Sequence, residues 1–233
     1  MKQLVIATRN THKIGEIRAI LGNAFQYSTL ADYVGSPHVV EDAATFEGNA
    51  RKKAIEIARW LSINRETMGR EAAAAWHVLA DDSGLEVDAL NGAPGVHSAR
   101  FAALDTGAPG NSKDSENNAK LLRLLGDVPG PRRTARFRCV LALTPVLAGT
   151  VDSASPVCLA DEFELSTHVF EGVCEGVIGF EPRGGDGFGY DPLFYPVGLE
   201  KSFALLPRAE KNRLSHRGQA LAKLRQHFQR PRS

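Results

Sequence analysis

The N-terminal segment joins an apolar run to a helical pattern. Residues 4–7 form a continuous apolar run, Leu-Val-Ile-Ala, which is typical of a buried strand. A polar turn follows, and apolar residues then recur at the spacing of one helix face, at Ile14, Ile17, Ile20 and Leu21. Gly22 comes directly after them and predicts the end of that helix. The chain therefore opens with a predicted strand, turn and helix.

Helical patterns return three more times. Residues 46–61 place four apolar side chains on one face, at Ala50, Ala54, Ile57 and Leu61. Residues 112–125 predict a further helix. Ser215 stands at a typical N-cap position before a last helix, whose apolar stripe consists of Ala220, Leu221, Leu224 and Phe228.

Strand patterns lie between these helices. Apolar and polar positions alternate over residues 134–144 and 168–178, and each segment predicts a strand. Residues 77–80 predict a short strand that ends at the polar group 81–84. Because strands and helices are interspersed, the pattern predicts an α/β fold with an antiparallel element. The segments around 62–76 and 145–167 fit neither pattern well and are predicted to be insertions.

Charge and composition narrow the class of protein. The 233 residues carry 28 Lys and Arg against 27 Asp and Glu, and 43% are hydrophobic, as expected for a folded globular protein. This balance argues against a surface built for polymeric nucleic acid, although the segment from Ser202 onward alone carries +7. No apolar stretch approaches membrane-span length, so a cytoplasmic protein without a membrane partner is expected. The three cysteines show neither zinc nor disulfide spacing.

The first polar turn is a candidate phosphate-binding site. It lies between a strand and a helix N-terminus, where unpaired backbone N–H groups and the helix dipole favour an anion. Its hydroxyl, amide and basic groups can cradle a phosphate, although the turn lacks the glycines of a Walker A loop. An ordinary N-capping turn is the structural alternative. The candidate residues are Thr8, Arg9, Asn10, Thr11, His12 and Lys13.

Carboxylates at the predicted end of the 77–80 strand suggest metal chemistry. Asp81 and Asp82 stand there, and Glu41 lies on an earlier polar segment. Mg²⁺ prefers oxygen ligands and is commonly held by one or two carboxylates together with substrate phosphates and water. A carboxylate in such a place can also orient a water molecule for attack. The alternative is a solvated turn.

Two further motifs suggest recognition of a ring. The glycine-rich segment 184–192 is predicted to display Phe188, Tyr190 and Asp191 in a tight turn, where an aromatic ring can stack on a base. Its alternative is a glycine-rich hairpin with a core phenylalanine. Near the C-terminus, His216 and Arg217 offer adjacent donors to an oxygen acceptor, but two such residues are also unremarkable in a basic segment.

Five segments in order resemble the inosine triphosphate pyrophosphatase family, the dITP/XTP pyrophosphatases. They are TRNTHK, TFEGNARKKA, LADDSGLEVDALNGAPGVHSARFA, GGDGFGYDPLF and KNRLSHRGQAL. The resemblance implies one elongated α/β domain with a central mixed sheet and two lobes that flank a nucleotide cleft, normally as a homodimer. It also implies Mg²⁺-dependent hydrolysis of aberrant purine nucleoside triphosphates to the monophosphate and pyrophosphate, with a small nucleotide as the only substrate partner.

The resemblance also implies roles for individual residues. Asp82 resembles the general base and metal-associated aspartate, and Glu41 the second metal carboxylate. Lys53 would add positive charge to the triphosphate turn, and Ser83 would contact the substrate. Phe188 resembles the residue that stacks on the purine, in a loop with Gly189, Tyr190 and Asp191, and the base-recognition group comprises Lys211, His216 and Arg217.

One departure from the family pattern and two rival functions stay open at this point. Many members carry Glu directly before the Asn-Ala pair, whereas this chain has Gly48 there with Glu47 beside it, so Glu47 is left out of the metal set. The basic C-terminal segment and the aromatic loop also suit a non-catalytic nucleotide- or RNA-binding protein. A house-cleaning pyrophosphatase for modified pyrimidine nucleotides would share the phosphate chemistry but not the Ser-His-Arg group.

Overall fold

The computed structural model describes residues 2–64, 76–147 and 162–229, and these divide into two compact units. Unit 1 is built from residues 1–82, 140–170 and 221–233, and unit 2 from residues 83–139 and 171–220. Asp82 and Ser83 are consecutive, so the boundary falls between two of the predicted site residues. The predicted insertions lie largely outside the described residues, at 65–75 and 148–161.

A six-stranded mixed sheet organises the fold. Its strands are β1 (Lys2–Ile6), β2 (Phe25–Thr29), β3 (Trp76–Val87), β4 (Thr134–Pro145), β5 (His168–Ile178) and β6 (Phe194–Pro196). They are arranged in the order β2-β1-β3-β4-β5-β6. β1 pairs in parallel with both β2 and β3, whereas β5 and β6 are antiparallel. The α/β class and the mixed sheet are therefore confirmed.

The principal helices lie close to where the sequence pattern predicts them. They are α1 (Thr11–Leu21), α2 (Phe46–Asn64), α3 (Asp114–Leu124), α4 (Arg208–Leu214) and α5 (His216–Gln229). The helix predicted over 46–61 runs three residues further, and the one predicted over 112–125 is slightly shorter. None of the helices in the described residues has both the length and the hydropathy needed to cross a membrane.

The strand and helix at the start of the chain form for the reasons that the sequence suggests. Apolar side chains of β1 are fully buried, and Ile17 and Leu21 bury the matching face of α1. Asn10 caps α1, because its side-chain oxygen accepts from two backbone N–H groups. Gly22 then adopts φ +61°, a left-handed conformation that glycine tolerates, and ends the helix as predicted.

The prediction that a short strand ends at residues 81–84 is wrong. β3 is a continuous strand of 12 residues, and the polar group lies in its middle. Asp81 and Asp82 are both buried, and each interacts with cationic or amide groups described below. Paired acidic side chains are tolerated inside a sheet, so polarity alone did not mark an end of this strand. The short strands β2 and β6 were not predicted, since neither shows a clear alternating pattern.

Unit 2 has an aromatic core. Phe137 packs against Phe194 and Phe203, with ring centroids 4.7 Å and 5.9 Å away. Cys139 and Cys174 are both buried, and burial raises the pKa of Cys174 to about 11. Cys158 lies outside the described residues.

Candidate active site

The turn between β1 and α1 is an N-capping turn with an open face. The Asn10 side-chain oxygen accepts from the backbone N–H groups of His12 and Lys13, at 3.0 Å and 3.2 Å. The Asn10 backbone N–H in turn donates to Thr8 Oγ1 at 3.2 Å. The capping alternative is thus confirmed, and it does not displace the phosphate prediction because capping leaves the turn exposed. The exposed residues are Arg9, Asn10, Thr11 and His12.

Two lysines of unit 1 converge on β3. Lys13 Nζ lies 2.5 Å from Asp81 Oδ1. Lys53 Nζ, from α2, lies 2.8 Å from Glu41 Oε1 and donates to the backbone carbonyl of Asp81 at 3.2 Å. Asp81 is 1% exposed, and its ion pair makes it the counter-charge of Lys13. Both cations are held near the same residue, a concentration of positive charge that suits a polyphosphate.

Asp82 lies beside this pair of lysines and is 6% exposed. Burial raises the pKa of Asp82 above its usual range, the charges of Lys13 and Lys53 lower it, and the charge of Glu41 raises it again. Burial dominates, so the pKa is raised overall. Asp82 therefore combines basicity with a protected position, as a general base requires.

Asn49 is a site residue that sequence reasoning did not single out. Its side-chain oxygen accepts from the Ala43 backbone N–H at 2.9 Å. Its side chain also forms a hydrogen bond with Asp82, which lowers the pKa of that carboxyl. Because the oxygen already accepts from Ala43, the amide N–H₂ is the group that faces the carboxylate. Asn49 belongs to the quoted TFEGNARKKA segment, but only the fold shows which partner it has.

The acidic groups suit a Mg²⁺ site in which substrate oxygens supply some of the ligands. Among the described residues, no group of three or more His, Cys, Asp or Glu side chains could hold a metal by itself. Glu41 and Asp82 nevertheless interact by charge, and like charges near each other are what a divalent cation relieves. One or two carboxylates, with phosphate and water, suffice for Mg²⁺. Asp81 forms an ion pair with Lys13, and Glu41 forms one with Lys53.

Arg217 is the most deeply buried basic group of unit 2. It is 1% exposed, and its Nη2 donates to Ser83 Oγ at 2.8 Å. Ser83 directly follows Asp82 in β3. The structure therefore brings Arg217 of α5 to Ser83, the strand residue that the resemblance predicts as a substrate contact.

Lys211 and Phe188 share an anchor in Asp191. Lys211 Nζ lies 2.6 Å from Asp191 Oδ2, and the same oxygen accepts from the Phe188 backbone N–H at 2.8 Å. Lys211 Nζ stands 5.0 Å from the centre of the Phe188 ring, and the Arg217 guanidinium carbon stands 5.8 Å from it. The predicted stacking residue and two members of the predicted base-recognition group are thus one cluster.

The prediction that the glycine-rich loop displays Tyr190 and Asp191 is wrong. Each is only 3% exposed. Tyr190 donates its hydroxyl to the carbonyl of Ser98 at 2.9 Å, and burial raises its pKa, so it is a neutral core donor. Asp191 is engaged by Lys211 and by the loop backbone. Asp191 holds the Phe188 backbone and Lys211, whereas Tyr190 belongs to the core.

His216 begins α5 and is held from two sides. Its ring stacks on Phe137 with a centroid distance of 4.8 Å and an interplanar angle of 10°. Ser215 caps the helix by accepting from the Gly218 N–H at 3.1 Å, which confirms the predicted N-cap. Gly172 of β5 allows the backbone of His216 to approach closely, since a Cβ there would lie 2.0 Å from the His216 carbonyl oxygen.

Known proteins resemble this chain over almost its whole length. The model of the Ham1 family matches residues 4–227. The chain belongs to the Ham1 family. The dITP/XTP pyrophosphatase of Exiguobacterium sibiricum is 43% identical and covers 95% of this chain and 94% of its own length. That of Desulforamulus reducens is 45% identical, with 95% and 92% covered.

Solved Ham1 structures agree with the fold. The HAM1 protein from Coxiella burnetii matches with a TM-score of 0.74 and 33% identity, and it covers 98% of this chain and 99% of its own. The Staphylococcus aureus Ham1 protein gives the same TM-score and identity, with 98% of each chain covered. The family resemblance drawn from the five sequence segments is therefore confirmed.

The packing at the start of α2 explains why a glycine fits at position 48 of this Ham1-family chain. A Cβ at that position would lie 2.8 Å from Ala43 Cβ and 3.1 Å from Thr45 Oγ1. The Gly48 N–H also donates to Thr45 Oγ1 at 3.0 Å. The loop before α2 thus packs directly on the glycine backbone. Asn49, the next residue, keeps its contact with Asp82.

Proposed function

We propose that this protein hydrolyses noncanonical purine nucleoside triphosphates, with dITP and XTP as its substrate class, to the monophosphate and pyrophosphate. The observation that carries the proposal is that Asp82 and Ser83 are consecutive residues of β3. Asp82 interacts by charge with Lys13, Lys53 and Glu41. Ser83 accepts a hydrogen bond from Arg217, whose guanidinium also lies near the Phe188 ring. The names of the relatives, dITP/XTP pyrophosphatases, agree with this pairing of phosphate chemistry and purine recognition.

The triphosphate would be bound by the turn before α1 and by the two lysines. Backbone N–H groups of a helix N-terminus favour an anion, and the exposed turn presents them to solvent. Lys13 and Lys53 are held by Asp81 and Glu41 within reach of the same residue of β3. We infer that phosphate oxygens take the place of these carboxylates in part, so that charge on the departing pyrophosphate is neutralised.

Asp82 would act as the general base. Formation of the monophosphate and pyrophosphate breaks the α–β anhydride bond, and we propose that water attacks this bond at the α-phosphorus. The proton that the water loses then needs an acceptor. The raised pKa of Asp82 suits that role, and the Asn49 amide orients the carboxylate. Glu41 and Asp82 would hold the Mg²⁺ ion, which when bound supplies Lewis-acid stabilisation of the phosphate oxygens.

Discrimination among bases would come from donors that face a 6-oxo group. Phe188 offers its ring for stacking, while Arg217, His216 and Lys211 carry N–H groups. Hypoxanthine and xanthine present an oxygen at the position where adenine presents an amino group. Adenine would place its 6-amino group, a hydrogen-bond donor, opposite the N–H donors of the site. A site built to pair with an acceptor rejects such an analogue strongly.

The test is a substrate panel of dITP, XTP, dGTP, dATP and dUTP with Mg²⁺, in which pyrophosphate and orthophosphate are assayed separately. We expect kcat/KM for dITP and XTP to exceed that for dATP by at least ~10²-fold, with pyrophosphate as the product. Preference for dUTP would favour a pyrimidine pyrophosphatase instead. No turnover combined with steeply salt-dependent RNA binding would favour a binding protein and contradict the proposal.

Two further properties rest on the resemblance and complete the proposal. We propose a homodimer, which sedimentation of the purified protein tests directly. We also propose that the protein works in the cytoplasm, where the nucleotide pool is found.

A further inference from the structure

We infer that Asp114 and Asn118 of α3 are positioning residues that hold the Phe188 ring in place through the backbone of the next residue. Neither side chain was predicted as a site residue. The inference rests on the proposed function, because it assigns these residues a purpose in holding the ring that would stack on the purine. It concerns unit 2 alone, which contains all the residues involved.

The backbone at Gly189 is bonded on both sides by α3. Asp114 Oδ2 accepts from the Gly189 N–H at 2.6 Å, and Asn118 Nδ2 donates to the Gly189 carbonyl at 3.1 Å. The two side chains are four residues apart and therefore share one face of the helix. We call this pair of contacts the Gly189 clamp.

The loop needs such a clamp because its glycines are conformationally free. Gly187 has φ +89° and Gly189 has φ +62°, so left-handed glycines stand on both sides of Phe188. Asp191 secures the Phe188 N–H from one direction, as described above. The clamp secures the following residue from another, and together they fix the backbone from which the ring projects.

The helix that carries the clamp is itself firmly anchored. Asn117 accepts from the Ala102 N–H at 2.8 Å and donates to the Ala99 carbonyl, and Leu121 is fully buried. Asn118 is only 7% exposed. The clamp therefore connects an anchored helix to the loop that carries the Phe188 ring.

The kinetic test compares Asp114→Ala and Asn118→Ala with wild type. We expect either change to raise KM for dITP about 5-fold, as the loss of one hydrogen bond predicts, with kcat within about twofold. Asp114→Asn keeps an acceptor oxygen and should restore a KM near that of wild type. Ser115→Ala, on the same helix turn but with no bond to the loop, is the matched control and should leave KM unchanged.

A double-mutant cycle distinguishes positioning from general stabilisation. In a Phe188→Leu background the ring is gone, so adding Asn118→Ala should raise KM by less than about twofold. The same 5-fold increase in both backgrounds would overturn the inference, since the clamp would then not act through the ring. A 5-fold effect that disappears with the ring supports it.

Amide hydrogen exchange separates this inference from the proposed function. The Gly189 N–H should exchange slowly in the wild-type protein and at least ~10-fold faster in Asp114→Ala, whatever the substrate. Unchanged exchange in Asp114→Ala would overturn the clamp even if dITP is hydrolysed. Slow wild-type exchange without any purine triphosphate hydrolysis would overturn the proposed function, and the positioning role with it. The hydrogen bonds of the Gly189 clamp would still stand in that case.

Discussion

Replacing Asp82 with asparagine is expected to lower kcat for dITP hydrolysis by about 10²–10⁴-fold, the usual contribution of a general base. Asparagine preserves the shape of the side chain and its contact with Asn49 but cannot accept a proton from water. KM should change much less than kcat, because Lys13 and Lys53 remain in place. Steady-state kinetics with dITP and Mg²⁺ measure both constants, and a kcat near that of wild type would contradict the assignment.

The same variant is expected to unfold at a higher temperature than wild type at pH 8. Burial raises the pKa of Asp82, so the folded state binds its proton more tightly than the unfolded state does. The free energy of unfolding of wild type therefore falls as the pH rises from the ordinary Asp range through the raised pKa. Asparagine does not titrate, so its advantage should be present at pH 8 and should shrink towards pH 4.

Asp81→Asn is the matched control on the neighbouring residue. Asp81 forms an ion pair with Lys13, and removing one partner of a buried pair leaves the other charge uncompensated. This variant should therefore lower the melting temperature at pH 8 while Asp82→Asn raises it. Melting curves of the three proteins at both pH values decide the point, and equal destabilisation by the two changes would contradict the argument.

Gly172→Ala is expected to destabilise the protein by about 2–3 kcal/mol, or roughly 5–10 °C in melting temperature. The added Cβ would lie 2.0 Å from the His216 carbonyl oxygen and 2.7 Å from the Ala220 backbone nitrogen. Both neighbours are backbone atoms and cannot move aside cheaply. The start of α5 must shift, so KM for dITP should rise as His216 and Arg217 are displaced.

Gly130→Ala is the control for the Gly172 variant. A Cβ at Gly130 would meet only Phe180 carbons at 3.7 Å, an ordinary van der Waals distance. We expect a melting temperature and KM close to those of wild type. Equal melting temperatures for the two alanine variants would show that β5 and α5 are not as closely packed as the structure has them.

Much of the site followed from sequence because its residues stand in local motifs. Asn10 was found as part of a turn between a strand and a helix, and Ser215 as an N-cap, and both patterns depend only on neighbouring residues. The course of β3 could not be predicted in this way. Asp81 and Asp82 look like a loop in isolation, and only Lys13 and Asn49, which come from other elements, explain how a strand can bury them.

Burial and long-range pairing account for the rest of the difference. Tyr190 and Asp191 lie in a glycine-rich segment that suggests exposure, but Ser98 and Lys211 draw them into the core. The Gly189 clamp joins residues 75 and 71 positions apart, and no local pattern marks such a pair. Glu41 could be proposed as a metal ligand from its type, but its ion pair with Lys53 is a property of the fold.

Hydrolysis of dITP in ¹⁸O-labelled water, followed by mass spectrometry of both products, tests the central claim most directly. Asp82 is proposed to activate a water molecule that attacks the α-phosphorus, so the label should appear in dIMP and the pyrophosphate should be unlabelled. Label in pyrophosphate would place the attack on the β-phosphorus. Labelled orthophosphate with dIDP would place it on the γ-phosphorus, and either result would contradict the account.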